Sequence, residues 1–129
     1  MNQSVVNEIN NINMVIDDNI SEKDYLNRGL LSQNILAQLR NLVEDVIVLW
    51  YNKNNNTDLG THFENKKIAY KSLETRCNPR FLNEFHRYLQ TSKSHYTPDY
   101  NGAERLMQKY YYYLLKLKEY VKNEFNIEI

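Results

Sequence analysis

Arg80 and His86 are the residues of this 129-residue chain whose types and spacing point most directly to chemistry. They stand in Asn78-Pro79-Arg80-Phe81-Leu82-Asn83-Glu84-Phe85-His86. Asn is a good N-cap and Pro suits the first helical position, so the spacing predicts a helix from Pro79 to about Ser92. A cation in a first turn opposes the positive end of the helix macrodipole, at a cost of roughly 0.3 kcal/mol. An anion bound there would turn the conflict into a site, held by unpaired N–H groups and the guanidinium fork together. A histidine titrating near neutrality can serve as base or acid when an RNA 2′-hydroxyl attacks its own phosphodiester, while Arg steadies charge on phosphorus. That chemistry uses no metal and no cofactor. On an ideal helix His86 lies about 120° around and about 9 Å along from Arg80. The two converge only if Arg80 folds over the helix start or a second copy supplies one of them, so a homodimer with this helix in its interface is expected. The ordinary alternatives are an exposed Arg beside a carboxylate and a half-buried His bordering Leu82 and Leu89.

Other candidates are weaker. His95, in Ser94-His95-Tyr96, follows the same helix and is a supporting candidate. Ser92 and Ser94 lack the glycine-flanked turn of a serine nucleophile. His62 reads as a loop or helix-start residue. The histidines come from separate segments and Cys77 is the only cysteine, which argues against a metal site and excludes an intramolecular disulfide. Arg40 with Glu44, and Asn41 with Asp45, are spaced to pair along a helix face. Alternatively Arg40 and Glu44 face the helix of Arg80 and His86 and orient those groups. Tyr110 to Tyr113 circle a full turn, so some are core while others can pack at a surface or stack on bases.

The elements that must position these residues are helical. Three Gly and two Pro are too few for a turn-rich β fold. Val5, Val6, Ile9, Ile12 and Ile16 recur at helical spacing, and that helix is expected to end near Asp17-Asp18-Asn19. Ser21 followed by Glu22 and Asp24 resembles an N-cap with an acidic first turn. It opens a long pattern of Leu26, Leu30, Ile35, Leu39, Val43, Val46, Ile47 and Trp50, expected to reach about Asn52. The polar run from Asn52 to Gly60 reads as a surface loop. A weaker helix is expected from Phe63 to about Arg76, with Ile68, Ala69 and Leu73 inward. The Pro79 helix should bury Phe81, Leu82, Phe85, Tyr88 and Leu89. Thr91 to Tyr100 reads as a connection, and Asn101-Gly102-Ala103-Glu104 as a capping box. The last helix, to about Glu124, has Leu106, Tyr110, Leu114, Leu117 and Val121 as its apolar stripe and Lys116, Lys118 and Lys122 toward its C-terminal end. Together these predict an all-α, antiparallel bundle of four to five helices, one domain over residues 1–129.

Composition sets the outer bounds. A hydrophobic fraction of 42% is too high for a disordered chain, and no apolar run approaches the roughly 18 residues that span a bilayer. The start MNQSVVNEIN has no signal-peptide pattern, and a cytoplasmic location is expected. Sixteen basic residues balance sixteen acidic ones, so any nucleic-acid binding needs a local patch.

Two stretches, Leu39-Arg40-Asn41-Leu42-Val43-Glu44 and Arg80-Phe81-Leu82-Asn83-Glu84-Phe85-His86, resemble the HEPN family (higher eukaryotes and prokaryotes nucleotide-binding domains). The second matches that family's Arg, four to six residues, His motif. The resemblance implies a small helical bundle that dimerises, with Arg80 and His86 as the active pair of a metal-independent endoribonuclease of toxin–antitoxin, antiviral or RNA-processing systems. Phe81 stands where active members often carry a polar residue. The second expectation is therefore a non-catalytic HEPN-like module for dimerisation or for binding nucleotide or RNA, fused to or partnering a larger protein.

Overall fold

The computed structural model describes residues 2–21, 25–91 and 100–126, with side chains at 5–17, 34–90 and 108–126. The chain is all-α. Five helices are present among the described residues: α1 (Asn2–Ser21), α2 (Tyr25–Asn55), α3 (Phe63–Arg76), α4 (Arg80–Thr91) and α5 (Tyr100–Phe125). No strand occurs among them. None of the described helices is long and apolar enough to cross a membrane. The residues form two compact units, one of Met1–Leu39 with Lys93–Ile129 and one of Arg40–Ser92.

In the first unit α1 packs on α5. Val5, Ile9, Ile12 and Ile16 of α1 are buried and Val6 is half-buried, while Tyr110, Leu114, Leu117 and Val121 of α5 are buried and the side chain of Leu106 lies outside the described residues. Two caps differ from expectation. Ser21 is the last residue of α1 rather than the cap of α2, which starts at Tyr25. Ile20 continues the four-residue spacing from Ile16, so the apolar pattern carries the helix past the acidic pair. Tyr100 already belongs to α5, which puts Asn101 inside the first turn rather than at the cap.

In the second unit the buried apolar side chains are Leu42, Val43, Val46, Ile47, Val48, Leu49 and Trp50 of α2, Ala69 and Leu73 of α3, and Leu82, Phe85 and Leu89 of α4. α2 runs to Asn55, three residues beyond the expected end. Its asparagines explain the extension: Asn54 Nδ2 donates to the Trp50 carbonyl and Asn55 Nδ2 to the Tyr51 carbonyl, both at 2.9 Å. Each side chain thus bonds back to its own helix one turn earlier, which lets these polar residues sit in the last turn of α2. Asn56 then takes a left-handed φ of 52°, and Thr57 N–H closes back on the Asn52 carbonyl at 3.1 Å. The Asn52 side chain accepts from Leu59 N–H at 2.9 Å and donates to the Leu59 carbonyl at 3.0 Å. The polar run is thus a helix end plus a loop pinned by Asn52.

α3 has the expected bounds, but Ile68 is 49% exposed. Ala69 and Leu73 are one turn apart and define the inward face, so the neighbouring position 68 is turned away by about 100°. Cys77 ends α3 in the left-handed conformation at φ 55°, its N–H on the Leu73 carbonyl. After a cis Asn78–Pro79 bond, the Pro79 carbonyl accepts from Asn83 N–H at 3.2 Å, so Pro79 holds the cap position and Arg80 is the first helical residue. That is one residue later than the Asn78-cap expectation.

Candidate functional site

α4 lays Leu82, Phe85, His86 and Leu89 along one buried stripe, at positions i, i+3, i+4 and i+7. His86 is 2% exposed. Its ring stacks on Tyr70 of α3, with centroids 4.9 Å apart. Its Nε2 lies 3.3 Å from Gln90 Nε2. Which of the two groups donates depends on the ring tautomer. Nδ1 has no hydrogen-bond partner among the described residues. Burial holds the imidazole below the ordinary histidine pKa of 6.5, and the Glu74 carboxylate opposes that shift only in part. The resting species is therefore the neutral ring.

Arg80 occupies the opposite environment. Its side chain is 88% exposed and its Nε donates to Glu84 Oε1, one turn on, at 2.9 Å. The carboxylate is itself half-exposed, so the pair adds little to stability. The other outward positions of α4 include Arg87 and Gln90. Arg80 and His86 are not brought together: one faces solvent and the other lies in the core of the unit.

The supporting pair from α2 behaves as the alternative reading expected, facing α4. Arg40 Nε donates to the Leu89 carbonyl at 2.9 Å, which places a cation on the last turn of α4 where carbonyls lack intrahelical donors. Glu44 Oε1 is 3.5 Å from Gln90 Nε2, so Gln90 stands between Glu44 and His86. The neighbouring polar residues of α2 engage α3. Lys66 Nζ donates to Asn41 Oδ1 at 2.7 Å and lies 3.3 Å from Asp45 Oδ1 and 3.6 Å from Glu44 Oε2. The Lys66 and Asp45 side chains are only 11% and 9% exposed. The Asp45 contact is one of charge, because its geometry does not make a directed hydrogen bond. Lys66, Tyr70 and Gln90 are polar residues on helices, and nothing local in the sequence marks which of those meets a partner from another helix.

His95 lies outside the described residues. His62 is exposed at the start of α3 and makes no side-chain cap there, and Cys77 is exposed. What Arg40, Asn41, Glu44, Asp45, Lys66, Tyr70, His86 and Gln90 accomplish together is to lock α2, α3 and α4 in register. A general base must come within about 3 Å of the proton it takes, and among the described residues the His86 ring is covered by Tyr70, Gln90 and its own stripe. Comparison of the chain with protein-family models, curated proteins and solved structures finds no match.

Proposed function

We propose that this chain is a non-catalytic, HEPN-like interaction module, in which the His of the motif serves the fold and the Arg forms a surface ion pair, and neither cleaves RNA. The observation that carries this reading is the burial of His86, at 2% exposure on the stripe that also holds Leu82, Phe85 and Leu89. Two further observations support it. Arg80 is satisfied by Glu84 on the surface, and Arg40 and Glu44 are committed to α4 through the Leu89 carbonyl and Gln90. The module's business is then binding, through helix faces left at the surface.

The test is incubation of the full chain with single-stranded and structured RNA in EDTA, beside His86→Ala and Arg80→Ala. The expected result is no cleavage above the buffer rate in any of the three. Metal-independent cleavage by the unaltered chain that falls roughly 10²–10⁴-fold in His86→Ala would restore the endoribonuclease reading, because that is the usual loss on removing a general acid or base. Light scattering in the same buffer tests the dimer expected from the sequence. A dimer abolished by Arg80→Ala, with cleavage, would mean that a second copy completes a site there.

A further inference from the structure

α4 is the shortest of the described helices, and at 12 residues it is marginal in water without a surface to pack on. Its docking in the second unit uses the buried stripe of Leu82, Phe85, His86 and Leu89 and the Arg40 bond to the Leu89 carbonyl. His86 is the member of that stripe that can become charged. The docked surroundings suit only the neutral ring, because an imidazolium donates from both nitrogens and accepts at neither. Its Nε2 would meet Gln90 Nε2, also a donor, at 3.3 Å, and its Nδ1 is buried without a hydrogen-bond partner among the described residues. Turning the Gln90 amide would offer Nε2 an acceptor but take the donor away from Glu44. Asn83 Oδ1 is also buried without a hydrogen bond, but it belongs to α4 itself, so pairing with it does nothing to hold α4 on its neighbours. The charged groups on the three helices leave the ring without a direct counter-ion. From α3, Glu74 favours the cation at long range and Tyr70 covers one face of the ring. From α2, Glu44 stands beyond Gln90 and shares Lys66 with Asp45, while Arg40 adds a positive charge at the Leu89 carbonyl. On α4, Glu84 pairs with Arg80 and Arg87 is exposed.

We propose that α4 is an acid-released element: protonation of His86 undocks it from α2 and α3 and brings Leu82, Phe85 and Leu89 to the surface while the α1–α5 unit stays folded. Undocking gives both ring N–H groups water to bond and removes the charge from the core, so the proton and the released helix stabilise each other. The direction of the linkage agrees with the geometry. Burial lowers the docked pKa below 6.5, against the partial opposition of Glu74, and release returns the ring toward its ordinary value. Between 6.5 and the docked value, each unit of acidification therefore multiplies the ratio of undocked to docked α4 by up to about tenfold. Above 6.5 the ratio is constant. The inference goes beyond the binding role proposed above and needs no partner, since it concerns a proton, one ring and the helix that carries it.

The test is hydrogen exchange of the full chain, read by mass spectrometry from about pH 8 to about pH 5, across the range in which a histidine titrates, and corrected for intrinsic exchange rates. Protection of the α4 amides should be level at the alkaline end and fall by up to about tenfold per unit below 6.5, while α5 amides from Tyr110 to Val121 keep theirs. Binding of an environment-sensitive apolar dye should rise over the same range as the stripe is uncovered. His86→Phe keeps a ring against Tyr70 without a titrating nitrogen, and its α4 protection should be level throughout. Should that variant fold poorly, Gln90→Glu serves in its place: it puts a carboxylate where the amide stands, gives the imidazolium an acceptor, and should remove most of the fall. His62→Gln, at an exposed position, should behave as the unaltered chain does. Level α4 protection in the unaltered chain, a fall that persists in both His86→Phe and Gln90→Glu, or a fall shared equally by α5 would overturn the inference. The RNA cleavage assay plays no part in this result, so the two readings fail independently.

Discussion

Replacing Lys66 by methionine is expected to lower the free energy of unfolding by about 3 kcal/mol, the low end for breaking a largely buried ion pair. The cost does not come from the lost lysine contacts alone. Methionine keeps most of the stem's packing, but Asp45 and Glu44 lose the Lys66 cation and Asn41 Oδ1 loses the Lys66 hydrogen bond. Urea titration measures it: the midpoint should fall while the slope stays constant. Adding Asp45→Asn should recover part of the loss by removing one of the stranded charges. A change under about 0.5 kcal/mol would place Lys66 among ordinary surface pairs and contradict the role given to it in joining α2 and α3.

Phe85→Ala is expected to cost more, about 3–5 kcal/mol, as a fully buried aromatic truncated to leave a cavity. Ile68→Ala is the contrast, because that side chain is half in water and its truncation should cost well under half as much. The comparison checks the facing of two helices at once. Similar losses at the two positions would mean that the inward faces of α3 and α4 have been assigned wrongly.

The fold was largely legible from periodicity, since Val5, Ile9, Ile12 and Ile16 of α1 and Tyr110, Leu114, Leu117 and Val121 of α5 recur at helical spacing and are buried. Helix ends were less so. Ser21 and Asn101 have cap-forming side chains, but an isolated cap residue says only where a helix can start, and the flanking pattern decided otherwise at both. The asparagines after Trp50 read as loop because they bury nothing. They extend α2 instead, by donating to carbonyls four residues back.

At the site the same periodicity held an answer that its chemistry obscured. His86 is four residues after Leu82 and three before Leu89, the spacing of a core position, yet its type is that of a catalytic base. The spacing of Arg40 and Glu44 leaves two readings open, a pair along their own helix or contacts to α4, and they reach α4. Lys66, Tyr70 and Gln90 were not recognisable, since their roles arise from cross-helix partners that sequence spacing does not encode.

The account turns on whether His86 is sealed and neutral, and the proton NMR titration of its ring reports that directly. Burial lowers the folded-state pKa below the unfolded value of 6.5, so the unfolded chain binds the proton first as pH falls. His86 therefore contributes its full stability above pH 6.5, and that contribution is lost on acidification from there down through the folded pKa. The predicted result is a His86 midpoint below 6.5 that does not move when oligouridine is added, assigned by the signal's absence in His86→Phe. A midpoint at or above 6.5, or one displaced by the oligonucleotide, would mean that the ring meets solvent and phosphate and would contradict the account.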